Sequence, residues 1–279
     1  MTTKLPRMPN APDRWPSSVG LIGAGAMGRA LLCGLADAHP GLGERTVVCD
    51  GVPAAAQGAA AEVGARVGSV SEAARADLVL VAVKPKDTGA LLDEVAATGD
   101  GVVLSVVAGW TLDALGAHLG ARPTVRTMPN LAVRHLTGVL GVCERNLDPL
   151  QSEQLERVLA PLGTVVRVDE SLFPVITALA GSGPGFVAVV AEGLEEGAVA
   201  CGLSRLDARA VVQAVIAGTA SLLAGGEDPA ELRQRVSSPG GTTIEGIAVL
   251  ERGAVRAHLQ DAVRAAAARA TAIAPGGRK

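Results

Sequence analysis

The stretch Val19-Gly20-Leu21-Ile22-Gly23-Ala24-Gly25-Ala26-Met27-Gly28 constrains this chain more than any other. An apolar strand runs straight into G-x-G-x-x-G, and the last glycine already lies in a helical pattern. In that arrangement Gly23 permits a tight turn, Gly25 lets an anionic group approach the backbone, and Gly28 lets the helix pack closely on the strand. The helix N-terminus presents free amides to the anion, with Ile22, Ala26 and Met27 in the same turn. With 35 glycines in 279 residues the pattern alone arises easily by chance. Its context carries the weight. It follows a strand, opens a helix, and precedes Asp50 at the end of the next apolar run, where a dinucleotide's adenosine ribose is held.

The next hundred residues repeat that rhythm. Short aliphatic runs at 19–22, 46–49, 77–83, 102–107 and 125–127 alternate with helical patterns at 26–38, 53–63, 87–97 and 112–119. The runs are continuously apolar, as expected of parallel strands covered on both faces. Alternating strands and helices of this kind predict a doubly wound α/β sheet. A strand at 138–143, a helix at 149–159 and a strand at 164–168 complete a domain spanning 18–168. Beyond it, residues 169–279 carry Ala, Leu, Val and Gly at helical spacing and predict an all-α domain. Its helices are expected at 170–180, 184–201, 207–224, 229–235, 242–252 and 254–273.

Charge and aromatic content exclude one class of partner. The 25 Lys and Arg against 28 Asp and Glu give a net charge of −3, with no basic excess to neutralise a nucleic-acid backbone. Trp15, Trp110, Phe173 and Phe186 are the whole aromatic complement, too few to stack bases. Cys33, Cys49, Cys143 and Cys201 form no CxxC pair, which argues against a disulfide framework or a metal site and for a reducing cytosol. Residues 1–17, with four prolines and no apolar core, read as a mobile tail rather than a secretory signal. The charge-free run 171–191 is long enough to raise a membrane-spanning reading. Gly181-Ser182-Gly183-Pro184-Gly185 at its centre argues instead for two buried helices joined by a tight turn.

Further motifs fall at strand ends. Ala82 and Val83 end the third run and Lys84 and Pro85 follow it, at the edge where open α/β sheets bind ligands. Lys84 reads either as a ligand contact or as a solvated loop charge, while the backbone beside it borders the cleft. Residues 105–109, including Ala108, and 128–130, ending in Asn130, occupy equivalent places and extend the cleft wall. In the helical half, Ser237-Ser238-Pro239-Gly240-Gly241-Thr242-Thr243-Ile244-Glu245 reads as a helix start with free amides and hydroxyl caps. It suits a small carboxylate, or it is a plain capped turn. The four histidines share no spacing that suggests a metal or a nucleophilic triad.

Taken together these motifs resemble the pyrroline-5-carboxylate reductase family. The resemblance runs from Val19 to about Thr271 through GAGAMG (23–28), VAVKP (81–85), SVVAGWTLD (105–113), VRTMPN (125–130), GSGPGF (181–186), EDPAELR (227–233) and SSPGGTTIEG (237–246). It implies a Rossmann domain for 18–168 and a helical dimerisation and substrate-binding domain for 169–279, with dimers that in some members assemble into rings. It also implies NADPH or NADH as cofactor, a small cyclic imine as substrate, and no membrane partner. The substrate carboxylate would bind at Ser238, Gly240, Gly241 and Thr242, and the Thr243 hydroxyl would lie at the ring nitrogen as the catalytic group. The sequence departs from the family pattern at Leu131-Ala132, where Thr-Pro is common, at Phe186, where Tyr is common, and at Asp228, where His is common.

Two rivals stay open at this level. The hydroxyacid dehydrogenases that share a GxGxMG opening use a lysine of the second domain, and this chain has no lysine between Asp87 and Arg278. Imine reductases of broader ring preference lack that objection. A non-catalytic dinucleotide sensor would be expected to lose the substrate loop SPGGTT (238–243) first, yet it is intact. Asp50, followed by Gly51-Val52 rather than Ser, Thr or Arg, favours NADH more than the family pattern does. Alternatively it turns outward and caps the helix near Pro53.

Overall fold

The structure is a computed structural model, and it describes residues 15–273. It divides into two compact units, one running to Gly181 and including the end of the last helix from Ala268, the other Ser182–Ala267.

The first unit is built on one eight-stranded sheet. Its strands are β1 (Val19–Ile22), β2 (Thr46–Cys49), β3 (Arg66–Val67), β4 (Leu78–Val81), β5 (Val102–Ser105), β6 (Thr124–Pro129), β7 (Gly138–Arg145) and β8 (Gly163–Arg167). Their order is β3-β2-β1-β4-β5-β6-β7-β8. All neighbours run parallel except β6 and β7. The helices between them are α1 (Ala26–Ala38), α2 (Pro53–Val63), α3 (Val70–Ala74), α4 (Thr88–Ala96), α5 (Leu112–Leu119) and α6 (Pro149–Leu159). Side chains alternate along β1, β2, β4 and β5 between two buried clusters. Leu21, Val48, Leu80 and Leu104 join α1 and α6 residues in one. Ile22, Val47, Val79, Val81 and Val103 join α3, α4 and α5 residues in the other. That double burial is why the strands read as unbroken apolar runs.

Of the stretch 1–17 expected to be a mobile tail, residues 1–14 lie outside the described residues. Trp15–Ser17 correct the expectation. Trp15 packs against the core, Pro16 is buried, and Arg45 donates to the Pro16 carbonyl at 2.8 Å. Ser17 N–H donates to Asp77 Oδ2 at 2.7 Å.

The stretch after β8 also differs from expectation. A short 3-10 turn, Glu170–Leu172, leads into α7 (Phe173–Ile176) and a π-helical turn, Thr177–Gly181. These pack on the sheet: Phe173 is fully buried beneath the Arg126 guanidinium, 4.2 Å from its ring centre, and Arg126 pairs with Glu170 at 2.7 Å. The compact division therefore falls after Gly181.

The second unit comprises α8 (Gly183–Ala200), α9 (Arg205–Ala224), α10 (Pro229–Arg235), α11 (Thr242–Arg252) and most of α12 (Val255–Ala272). Instead of a tight turn between buried helices, the π turn leads through Ser182 into α8, whose second residue is Pro184. There the missing N–H breaks no helical bond. No residue of α8 is buried in the single chain. Glu170–Ala200 and Arg205–Ala224 are long and apolar enough to cross a membrane by length and composition alone, with mean hydropathies of 1.7 and 1.3.

Candidate active site

The expected cofactor residues converge at the C-terminal edge of the sheet. Gly23 leaves β1 with φ +103°, and its N–H donates to the Cys49 carbonyl at 2.9 Å. A Cβ on Gly23 would lie 2.6 Å from the Ala82 carbonyl, so a side chain is excluded twice over, by backbone conformation and by space. Gly28 is equally confined: its Cβ would stand 2.0 Å from the Gly23 carbonyl oxygen, which is how α1 packs onto its own turn. Gly25, in contrast, faces open space.

Gly25 is the N-cap of α1, and no side chain caps it. The first turn, with Ala26, Met27 and Gly28, carries no acid. An uncapped helix start beneath an open backbone is the chemistry that receives a pyrophosphate. Asp50 stands next to it. Its Oδ2 accepts from the Ala24 N–H at 2.6 Å and its Oδ1 from the Val52 N–H at 2.7 Å. The carboxylate thus turns toward the glycine loop and also ties the residue before Pro53, combining features of both arrangements the sequence allowed. The Ala24 contact had no sequence signal, because a residue 26 positions away reaches it only through the fold.

Beside β1, the Ala82 N–H donates to the Ile22 carbonyl at 2.8 Å, and Val106 N–H to the Val81 carbonyl at 3.0 Å. Ala82 and Val83 are half-buried; Lys84 and Pro85 are exposed. Ala108 is exposed in the loop after β5. Asn130 is buried at the end of β6, its Oδ1 accepting from Val139 N–H at 3.3 Å. The strand order β2-β1-β4-β5-β6 therefore lays out Asp50, the glycine loop, residues 82–85, Ala108 and Asn130 in sequence along one edge. A dinucleotide with its ribose at Asp50 and its pyrophosphate at Gly25 would extend toward β4 and β5.

The expected substrate residues lie in the second unit. Gly240 has φ +66° and Gly241 is the N-cap of α11, with its N–H donating to the Ser238 carbonyl at 3.0 Å. The hydroxyl caps expected here are not made: no side chain caps α11, and Ser237 Oγ donates back to the Arg233 carbonyl at 2.7 Å. That leaves the first amides of α11 without a side-chain cap, with Thr242 exposed and Thr243 half-buried.

The cysteines offer no nucleophile to this edge. Burial pushes the Cys33, Cys49 and Cys143 thiols upward, Cys143 to about 12. Neutral thiols are poor nucleophiles. Among the described residues no group of three His, Cys, Asp or Glu side chains is placed to hold a metal ion.

Comparison with known proteins adds the following. A family model described as pyrroline-5-carboxylate reductase dimerisation matches residues 170–273, and one described as NADP oxidoreductase, coenzyme F420-dependent, matches 18–109. The chain is 35% identical to a pyrroline-5-carboxylate reductase of Thermus thermophilus, over 90% of this chain and 96% of that one. It is 33% identical to one of Mycobacterium tuberculosis, over 90% and 95%. Among solved structures, a pyrroline-5-carboxylate reductase of Coxiella burnetii superposes with a TM-score of 0.85 at 29% identity, covering 93% of this chain and 99% of that one. A pyrroline carboxylate reductase of Plasmodium falciparum with NADP bound gives 0.82 at 25%, covering 92% and 98%.

Proposed function

The chain belongs to the pyrroline-5-carboxylate reductase family, and from that membership we propose that it reduces 1-pyrroline-5-carboxylate to L-proline, the closing step of proline biosynthesis. The observation that carries the proposal is the pairing of two uncapped helix starts in one chain, α1 beneath the open Gly25 backbone and α11 behind Gly240-Gly241. The first fits a pyrophosphate and the second a small carboxylate.

NADH or NADPH, when bound, supplies a hydride to the imine carbon. The chain's own residues have a modest task, since an imine is already electrophilic and mainly needs orientation. The amides of Gly240 and Thr242 at the start of α11 hold the substrate carboxylate, with Ser238 beside them and Gly241, whose N–H donates to the Ser238 carbonyl, shaping the turn. The Thr243 hydroxyl bonds the ring nitrogen, orienting the ring and relaying a proton to it. A hydroxyl is too weak an acid to be the ultimate donor.

The helical unit, within the 170–273 match to the dimerisation model, acts as the dimerisation and substrate domain of a cytosolic homodimer, and the free cysteines agree with a reducing compartment. The two long apolar helices then meet a second copy rather than lipid. Dimers of this kind can assemble further into rings.

Oxidation of NADH and NADPH on addition of the imine tests the reaction. Thr243→Ala is expected to lower kcat by roughly ten- to several hundred-fold, the range for lost positioning and proton relay. Unchanged kinetics would remove Thr243 from the mechanism. A strong preference for the six-membered homologue would replace the substrate assignment with a broader imine reductase. Cofactor binding without turnover would indicate a sensor.

A further inference from the structure

Trp110 is joined to the cofactor edge by its indole. Nε1–H donates to the Pro85 carbonyl at 3.2 Å, from the loop after β5 to the turn after β4. Pro85 opens a single 3-10 turn, Pro85–Asp87, and its carbonyl also accepts from the Thr88 N–H. The Lys84 carbonyl accepts from Asp87 N–H and from the Thr88 hydroxyl, each at 3.0 Å, and Thr88 is fully buried. These bonds fix the far end of the turn from within. Trp110 adds a tie from the neighbouring loop.

The indole is itself braced. The His118 ring of α5 leans on it with centroids 5.5 Å apart at a 51° tilt, and His118 Nδ1 lies 2.7 Å from Asp93 Oδ1 of α4. Gly89 sits beneath both rings, where an added Cβ would touch each. Such a brace lowers the entropy lost when the indole makes its hydrogen bond.

We propose that Trp110 is a positioning residue for the cofactor: through the Pro85 carbonyl it holds the backbone of residues 82–85 in the conformation that receives the nicotinamide half. The role rests on the reading that this turn borders the cofactor. It follows from the strand order, since β4 and β5 continue the edge on the side of the glycine loop away from Asp50.

Trp110→Phe keeps an aromatic ring against His118 and removes the donor. Titration of NADH fluorescence with purified protein is expected to give a Kd raised roughly two- to ten-fold, the span for one neutral hydrogen bond. KM for NADH should rise by the same factor, while kcat and KM for the imine stay at wild-type values and the thermal midpoint falls by no more than about a few degrees. A Kd unchanged in the variant overturns the proposal while leaving the cofactor reading intact. A parallel rise in both KM values with a larger fall in the thermal midpoint also overturns it, because that pattern marks a general structural role. Wild-type protein that binds neither NADH nor NADPH overturns the cofactor reading and this proposal together. An independent readout uses Trp15→Phe, which leaves Trp110 as the sole tryptophan. Saturation with NAD+, which does not accept energy from tryptophan, is expected to shift the Trp110 emission, and an emission unmoved by NAD+ counts against the proposal.

Discussion

Asp50 holds the glycine loop and sets its charge at the same time. Each carboxylate oxygen accepts one backbone N–H, from Ala24 and from Val52, and retains capacity for a further donor such as a ribose hydroxyl. With the adenosine end placed here as proposed, its negative charge would repel a 2′-phosphate. One such repulsion in a partly solvated site is worth about 1 kcal/mol, or several-fold in affinity. The expected outcome is use of both cofactors with NADH favoured, and a several-fold shift toward NADPH in Asp50→Ser. Comparison of kcat/KM for the two cofactors in both proteins checks it. Wild-type preference for NADPH by about tenfold or more would contradict the assignment. The acidic residue was legible in the sequence because it ends a strand. Its partner Ala24 was not, because that contact depends on how the side chain turns once β1 and β2 are paired.

At the level of elements, the sequence was clearest where burial was two-sided. β1, β2, β4 and β5 have every residue, or all but one, buried, so composition alone marked them. β3 escaped notice because Arg66–Val67 is a two-residue edge with both side chains exposed. α3 is only five residues long and is fixed by a capping box: Ser69 accepts from Glu72 N–H, and the Glu72 side chain accepts from Ser69 N–H at 2.8 Å. Those bonds, with that to Arg66 at 2.7 Å, bring the Glu72 carboxyl from 4.5 down to about 2. A carboxyl lowered on folding stabilises the fold above its ordinary value and loses that contribution as pH falls from about 4.5 toward 2. Glu72→Gln should therefore lower the urea midpoint at neutral pH and flatten its decline across that acid window. Parallel midpoints for variant and wild type at every pH would show that the Glu72 charge contributes nothing, since a glutamine can still close the box, as Gln151 does at α6. Ser69→Ala removes the other half of the box and is expected to cost about 1 kcal/mol, as measured N-caps do.

At the scale of the whole molecule, the helical unit leaves uncovered what the sheet unit buries. Val189 on α8 is 67% exposed and Leu206 on α9 is 80% exposed, and Val211, Val215, Leu222, Val249 and Leu250 are exposed with them. The sequence already pointed to a second copy through the resemblance, but which residues face it was not legible, because hydropathy at helical spacing does not separate a contact within the chain from one between copies. Apolar surface on this scale marks an interface, and the dimerisation model matched to 170–273 spans it. In a two-fold dimer each residue at the interface is presented by both copies, so one substitution is felt twice. Light scattering at micromolar concentration is expected to give twice the 27.9 kDa chain mass, or an even multiple of it for a ring. Val189→Glu places a carboxylate in an apolar contact, where desolvation without a partner weakens association by about an order of magnitude or more. Val189→Ala removes methyl groups without adding charge and should leave the assembly intact. A wild-type monomer would refute the dimer, whereas unchanged dimers in Val189→Glu would move the interface away from that face of α8. Because the first unit carries its own buried core, the glutamate variant is expected to keep its NADH affinity after it dissociates.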